Sequence, residues 1–214
     1  MQAAAQAGIA IVAALLALAG SAWYVRDTLR GRTRPHRVTW AIYAVVGVLV
    51  VASSWLAGGR WSLLTPLAYV VGPVAIAIAS IRYGVGGWSR SDRLCLGGAA
   101  AATAGWLASG DPRVGVWMHT VVDICATIPT LRKAWYDPRH EHRGAWTLYA
   151  LSSLLNLGSI DAWSVGAAVF PLWLALGCSG VAAILWWRHT GSSAGPSRPA
   201  HTPGGPSRQG FGEG

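Results

Sequence analysis

Long apolar runs separated by short charged or glycine-rich segments make up most of the chain. A helix needs about 20 mainly apolar residues to cross a bilayer, and lipid cannot satisfy the hydrogen-bonding groups of irregular backbone. The pattern therefore predicts an all-α membrane protein with seven transmembrane helices, over residues 8–25, 38–59, 62–80, 94–109, 114–131, 144–160 and 165–187. The fourth run is short and rich in Gly and Ala, so we expect it to pack against other helices.

Composition agrees with this class of protein. Hydrophobic residues make up 53% of the 214 residues and charged residues only 12%, about half the charged fraction of a typical soluble domain. The basic residues follow the odd-numbered helices, and only Arg60 and Arg113 fall on the opposite side. This bias predicts that the basic loops and the C-terminus are cytoplasmic and that the N-terminus is outside.

The net charge of +9 is explained by this topology, because cytoplasmic Arg and Lys side chains also contact anionic lipid headgroups. Membrane lipids are therefore expected partners. The chain has no nucleic-acid recognition motif, so no nucleic acid is expected. From residue 189 onward the composition shifts to Gly, Pro, Ser and Arg, which predicts a disordered cytoplasmic tail over 189–214.

An internal repeat relates the segments that follow the first and fifth predicted helices. Each contains Thr-Leu-Arg, then a basic loop, then Arg-x-x-Trp-x-x-Tyr at the start of a new helix. Because the two copies have the same sidedness, they predict two parallel three-helix repeats joined by an inverting helix. An interfacial belt of Arg, Trp and Tyr side chains is the alternative. The motif residues are Arg30, Trp40 and Tyr43 in the first copy and Arg132, Trp146 and Tyr149 in the second.

This 3+1+3 arrangement resembles the SWEET and PQ-loop superfamily of membrane proteins. The segments over 24–43 and 123–146 are similar to those of an uncharacterised bacterial seven-helix membrane family. The resemblance implies a first bundle over 1–83, a connector helix over 84–111, a second bundle over 112–188 and the tail over 189–214. It also implies the bacterial cytoplasmic membrane as the location.

Two departures limit what the resemblance implies about function. The Pro-Gln pair that names the PQ-loop group is absent, since Pro129-Thr130 and Trp23-Tyr24 occupy the matching helix ends. Sugar-transporting SWEETs bind their solute with paired Asn and Trp residues contributed by both repeats, whereas Asn156 is the only asparagine in this chain. A sugar is therefore not expected to be the solute.

Asp123 is the one acid near the centre of a predicted span, where an ionisable group is costly and usually functional. His119 lies four residues earlier on the same helix face. The two side chains could form a hydrogen-bonded pair that takes up or releases a proton during solute passage. The alternative is structural: Asp123 bonds a neighbouring helix, and His119 satisfies it inside the bundle.

Polar and aromatic residues of other predicted helices complete the candidate solute site. Asn156 shares a helix face with Ser152 and could line a cavity, although Ser and Asn side chains also hold helices together. Tyr69 and Trp173 occupy roughly equivalent repeat positions and are the aromatic candidates for stacking a solute. Prolines free backbone carbonyls and permit kinks, so the hinge candidates are Pro66, Pro73, Pro129 and Pro171.

The motifs that indicate a metalloprotease, a serine hydrolase or a phosphate loop are absent, so an enzyme is not expected. Neither a metal site nor a cofactor is predicted, because the three cysteines have no paired spacing and the ligands in His140-Glu141-His142 are adjacent. We therefore expect a SWEET-like transporter of an unidentified small solute, proton-linked through Asp123. The alternative is a non-transporting multi-pass receptor or assembly protein of the same fold. Self-association into a homo-oligomer is left open.

Overall fold

The protein is described by a computed structural model over residues 2–56, 64–87, 89–110, 112–160, 163 and 165–192. Within these ranges the chain contains seven α-helices and one short 3-10 helix, and it contains no β-strand. The predicted all-α class is therefore confirmed. The helices are α1 (Gln2–Leu29), α2 (Arg37–Leu56), α3 (Leu64–Tyr83), α4 (Arg90–Ser109), α5 (Pro112–Tyr136), α6 (Arg143–Leu157) and α7 (Val165–Ser192), and the 3-10 helix spans Pro138–His140.

Several helices extend beyond the apolar runs that predicted them. α1 continues to Leu29 and α5 to Tyr136, because backbone hydrogen bonding continues into the polar flanks of an apolar run. α7 continues through Ser192, four residues into the segment predicted as a disordered tail. The prediction for residues 193–214 lies outside the described residues.

Among the described residues, two helices are long and apolar enough to cross a membrane, by length and composition. They run over Ala4–Leu29 in α1 and over Ala168–Arg188 in α7. Shorter apolar helices lie over Arg37–Val48 and Leu67–Tyr83, within α2 and α3, in the part of the chain that the structure describes. Membrane crossing by all seven helices therefore stays a prediction.

The helices pack in a regular order. α3 packs against both α1 and α2, and α7 packs against both α5 and α6. α1 also packs against α6, and α2 packs against α5. These six contacts close a ring in the order α1, α3, α2, α5, α7, α6. α4 lies outside the ring, where it packs against α5 and touches α2.

Small side chains bring α4 close to its neighbours. Ala99 and Ala102 of α4 are buried in an apolar cluster with Val38 and Ile42 of α2 and Val122 of α5. Alanine permits this approach because its side chain ends at Cβ. The expectation that the fourth apolar run packs against other helices agrees with this cluster.

A second close approach joins α1 and α3. A Cβ atom added to Gly72 of α3 would lie 2.7 Å from Cβ of Ser21 in α1, which is closer than real Cβ contacts come. Ser21 cannot turn away freely, because its Oγ donates to the carbonyl of Ala17 and shares a hydrogen bond with Tyr149 OH. The interface between α1 and α3 therefore requires glycine at position 72.

The variant Gly72→Ala is expected to lower the free energy of unfolding by about 1–3 kcal/mol, the usual cost of overpacking. Gly105→Ala is the matched control, because Gly105 is also helical and a Cβ there meets nothing within 4 Å. Removing a helical glycine at an open position is expected to stabilise by up to about 1 kcal/mol. Denaturant titration of the purified variants in mixed micelles measures both values. Equal stability of the two variants would contradict the close packing.

Candidate functional site

A cavity of about 500 Å³ lies inside the ring of six helices. Side chains from α1, α2, α3, α5, α6 and α7 line it, and most of its wall is apolar or aromatic. The volume falls within the range of pockets that hold small molecules, about 300–1,000 Å³. The cavity is therefore large enough for a small organic solute.

Three of the five predicted solute-site residues line this cavity: Asp123, Tyr69 and Asn156. Asp123 is only 4% exposed, and its Oδ2 accepts a hydrogen bond of 2.8 Å from Nε1 of Trp173, the fourth predicted residue. Tyr69 OH shares a hydrogen bond of 2.5 Å with Ser152 Oγ in α6. The fold thus brings residues of α3, α5, α6 and α7 together around one space.

His119, the fifth predicted residue, is not among the residues that line the cavity. Its ring packs against Trp106 of α4, with 4.7 Å between ring centroids. α4 packs against α5, so the His119 ring lies in the interface between these two helices. The Asp123 carboxylate accepts its hydrogen bond from Trp173.

The aromatic residues of the repeat motif meet at the cavity. Trp40, Tyr43, Trp146 and Tyr149 all line it, and the two tryptophan ring centroids are 6.0 Å apart. Both tryptophans are 2% exposed, so they belong to the core of the bundle. The motif arginines, Arg30 and Arg132, are exposed.

Each motif tyrosine bonds a hydroxyl group on a neighbouring helix of the ring. Tyr43 OH of α2 lies 2.6 Å from Thr127 Oγ1 of α5. Tyr149 OH of α6 lies 2.9 Å from Ser21 Oγ of α1. These two bonds have the same form on opposite sides of the cavity, so the motif links the two halves of the ring.

The hinge candidates occupy different environments. Pro73 in α3 and Pro171 in α7 line the cavity, and both are inside their helices. Pro129 lies in α5 and is buried. Pro66 falls in the first turn of α3, and its side chain lies outside the described part of the structure.

A buried polar network, which the sequence analysis missed, lies at the end of the cavity where Trp146 sits. Glu141 Oε1 accepts hydrogen bonds from Tyr24 OH at 2.5 Å and from Trp146 Nε1 at 2.9 Å. Glu141 Oε2 forms an ion pair with Lys133, and both side chains are almost completely buried. A sole lysine eight residues before a glutamate was the signal that could have found the pair.

Lys133 also joins the two basic loops. Its Nζ donates to the backbone carbonyl of Arg34, in the loop after α1, and to that of His140, at 2.8 Å, in the loop after α5. A backbone bond of 3.0 Å from Arg34 N to His140 O runs beside it. The ammonium group therefore uses all three of its donors inside the protein.

Two histidines occupy matching positions, each directly before the first residue of α2 or α6. His36 Nε2 lies 3.4 Å from Asp92 Oδ1, and His142 Nε2 lies 3.3 Å from Asp27 Oδ2. Burial lowers the pKa of both histidines and outweighs the opposing effect of the two carboxylates. For the Asp92 carboxyl, burial raises the pKa, but hydrogen bonds from Gly87 and Ser89 outweigh it and the pKa is lowered.

His142 also caps α6. Its Nδ1 accepts a hydrogen bond of 3.0 Å from the backbone N–H of Ala145. This bond requires an unprotonated Nδ1, so the ring proton lies on Nε2, which faces Asp27. Protonation of His142 would therefore remove the cap.

No group of three or more His, Cys, Asp or Glu side chains in the described ranges is arranged to hold a metal ion. Comparison with protein-family models, with curated proteins and with solved structures gives no match. The fold and the cavity define the class: an all-α protein whose helices enclose a cavity with a buried carboxylate in its wall. The resemblance to the SWEET and PQ-loop superfamily stays a prediction.

The variant Lys133→Met is expected to lower the free energy of unfolding by about 3–5 kcal/mol, because it leaves the Glu141 carboxylate buried without a counter-charge. Adding Glu141→Gln removes that charge, so the double variant should lose less than the sum of the two single losses. Asp137→Asn is the control, since the pair between His140 and Asp137 is 41% and 48% exposed. Its expected change is within about 0.5 kcal/mol. Additive losses in a denaturant titration would contradict a coupled pair.

Acidification is expected to destabilise the protein through His142. Its folded-state pKa lies below the ordinary value of 6.5, so this contribution is complete above that pH and is lost as the pH falls toward the folded-state pKa. The variant His142→Asn keeps a side-chain cap that does not titrate, worth about 1 kcal/mol. Unfolding midpoints at about pH 7.5 and about pH 5.5 should therefore differ less in this variant than in the wild type. If the two unfolding midpoints differ by the same amount in the variant and in the wild type, titration of the His142 cap does not contribute to the pH dependence.

Proposed function

We propose that this chain is a seven-helix multi-pass membrane transporter of a small solute, built as two parallel three-helix repeats joined by α4. The observation that carries the proposal is the cavity of about 500 Å³ enclosed by three helices from each repeat. A site between two repeats is the usual arrangement in transporters that work by alternating access.

The surface of the bundle supports a membrane location. Large apolar side chains are exposed along several helices, among them Leu15 of α1 at 60%, Ile78 of α3 at 64% and Leu176 of α7 at 68%. Soluble monomers rarely expose large contiguous apolar areas, whereas lipid-facing helices do. The two apolar helices of membrane length support the same conclusion.

The packing order supports the repeat. Exchanging α1 with α5, α2 with α6 and α3 with α7 converts each of the six ring contacts into another contact of the ring. At the level of helices, the same exchange relates the bond between Tyr43 and Thr127 to the one between Tyr149 and Ser21, with the two partner hydroxyls one helical turn apart in the aligned sequences. A duplicated unit accounts for both regularities, and an interfacial belt accounts for neither. α4 then acts as the connector.

Alternating access needs one end of the cavity to close while the other opens. Trp40 and Trp146 lie at the end of the cavity nearest the basic loops, and the network around Glu141 lies next to them. In the proposed topology these loops are cytoplasmic, the N-terminus is outside and the C-terminus is cytoplasmic. The network is then the closed cytoplasmic gate, and rocking of the repeats would separate Lys133 from the carbonyl of Arg34. The bacterial cytoplasmic membrane is the proposed location.

Filling the cavity tests this function. Gly177 of α7 lines the cavity, and a Cβ there would meet nothing closer than 3.7 Å, so Gly177→Leu should fold and occupy the space. Swelling of proteoliposomes is measured with a panel of neutral, anionic and cationic small solutes. For any solute that the wild type moves, Gly177→Leu should reduce the rate to that of protein-free vesicles.

The matched control is Gly105→Leu, which places the same side chain on an open position of α4, away from the cavity. It should transport as the wild type does. Flux that survives Gly177→Leu, or a wild type that moves no solute of the panel, would contradict the proposal and favour a receptor or assembly protein.

A further inference from the structure

We infer that the cavity binds a small organic cation, an amine or quaternary ammonium group on a molecule that carries no carboxylate of its own. This inference rests on the proposed function, because it names the solute class of the same cavity. It follows from the charges, the aromatic side chains and the hydrogen bonds of the cavity wall.

The charged side chain in the described cavity wall is an acid. Among the described residues that line the cavity, Asp123 carries the carboxylate, and no lysine, arginine or histidine is present. A buried charge requires a counter-charge or its burial is costly. An anionic solute, or a zwitterionic one with its own carboxylate, would find no cation in this wall. A cation would find Asp123.

The three tyrosine hydroxyls of the wall are already hydrogen-bonded to other side chains. Tyr43 OH pairs with Thr127, Tyr149 OH with Ser21, and Tyr69 OH with Ser152. A solute that bonds to one of these three hydroxyls would have to break its existing pair. Asp123 differs from these groups. Its carboxylate has about four acceptor sites, and Trp173 donates to one of its oxygens.

Aromatic side chains form a further part of the wall. Trp40, Tyr43, Trp146, Tyr149, Tyr69 and Phe170 line the same space. Aromatic faces attract cations, most strongly when the cation is desolvated, and they are the recurrent walls of ammonium-binding sites. A metal ion is less suited to the cavity, because Ca²⁺ takes about six to eight oxygen ligands. An organic ammonium needs one counter-charge and an apolar enclosure, and the cavity provides both.

Choline and its uncharged isostere 3,3-dimethyl-1-butanol test the inference, since they differ in charge and hardly in shape. Binding of each to the full-length protein in lipid nanodiscs is measured by isothermal titration calorimetry. Choline is expected to bind at least about tenfold more tightly than the isostere, because charge and aromatic attraction act on choline alone. Equal affinities would overturn the inference.

Two variants assign the effect to Asp123. Asp123→Asn should lower the affinity for choline by about tenfold or more and leave that for the isostere unchanged. Asp137→Asn, which removes an exposed acid outside the cavity, should change neither. If Asp123→Asn does not fold, Gly177→Leu serves instead and must abolish choline binding. Retention of choline binding in Asp123→Asn, or in Gly177→Leu, would overturn the inference.

The binding experiment and the flux experiment fail separately. If the vesicles move neutral solutes in a manner that depends on Gly177 but choline does not bind, the inference is wrong and the transport function stands. If choline binds through Asp123 but no solute crosses, the cation site stands and the transport function is wrong.

Discussion

The ion pair between Lys133 and Glu141 holds together the parts of the structure on which the cavity depends. Removing both charges from water costs several kcal/mol for each ion, so the pair exists only because its surroundings satisfy it. Lys133 gives its three donors to Glu141 and to the carbonyls of Arg34 and His140. Glu141 also accepts hydrogen bonds from Tyr24 OH and Trp146 Nε1. Two loops and three helices are therefore fixed at one end of the ring by a single pair of charges.

The sequence was sufficient for the helices because the signal that defines them is local. Each apolar run is continuous, and lipid or a helix interface both favour α-helix for it, so the class could be predicted without knowing the packing. The ends were less predictable. α5 continues to Tyr136 through polar residues, because the helix needs only backbone hydrogen bonds there. Local patterns do not distinguish a polar helical turn from a polar loop.

Site residues could be predicted where the residue type is unusual for its position in the sequence. They were missed where only the three-dimensional surroundings make the residue unusual. Asp123 was conspicuous inside an apolar run, and it does line the cavity. Glu141 was not conspicuous, because a glutamate in a basic loop is a common feature of a sequence. Its importance comes from the fold, which buries it to 7% exposure. For His119, helical spacing predicts a position beside Asp123, and in the structure its ring packs against Trp106 of α4. Side-chain direction depends on neighbours that spacing does not reveal.

Alignment of the two Thr-Leu-Arg elements shows where the proposed duplication departs from symmetry. It pairs Lys133 with Gly31, and Gly31 has a φ of +71°, just beyond the end of α1. Lys133 bonds the carbonyls of Arg34 and His140, which occupy matching positions before the two histidines. It therefore reaches both loops at once. A second lysine from the other repeat would compete for the same acceptors. In the proposed duplication, the second repeat therefore supplies the lysine, and the first repeat ends α1 just before the matching position.

The same alignment pairs Asp123 with Ser21. Both positions face the interior of the ring. The Ser21 hydroxyl is hydrogen-bonded to the carbonyl of Ala17 and to Tyr149 OH. A serine at 123 would avoid the cost of burying an ionisable group, about 2.5–3.5 kcal/mol at the centre of a membrane helix. The carboxylate bonds Trp173 through one oxygen, which leaves acceptor capacity in a cavity that six aromatic residues also line. A charge retained at this cost in the wall of a cavity is better explained by what enters the cavity than by what holds its wall.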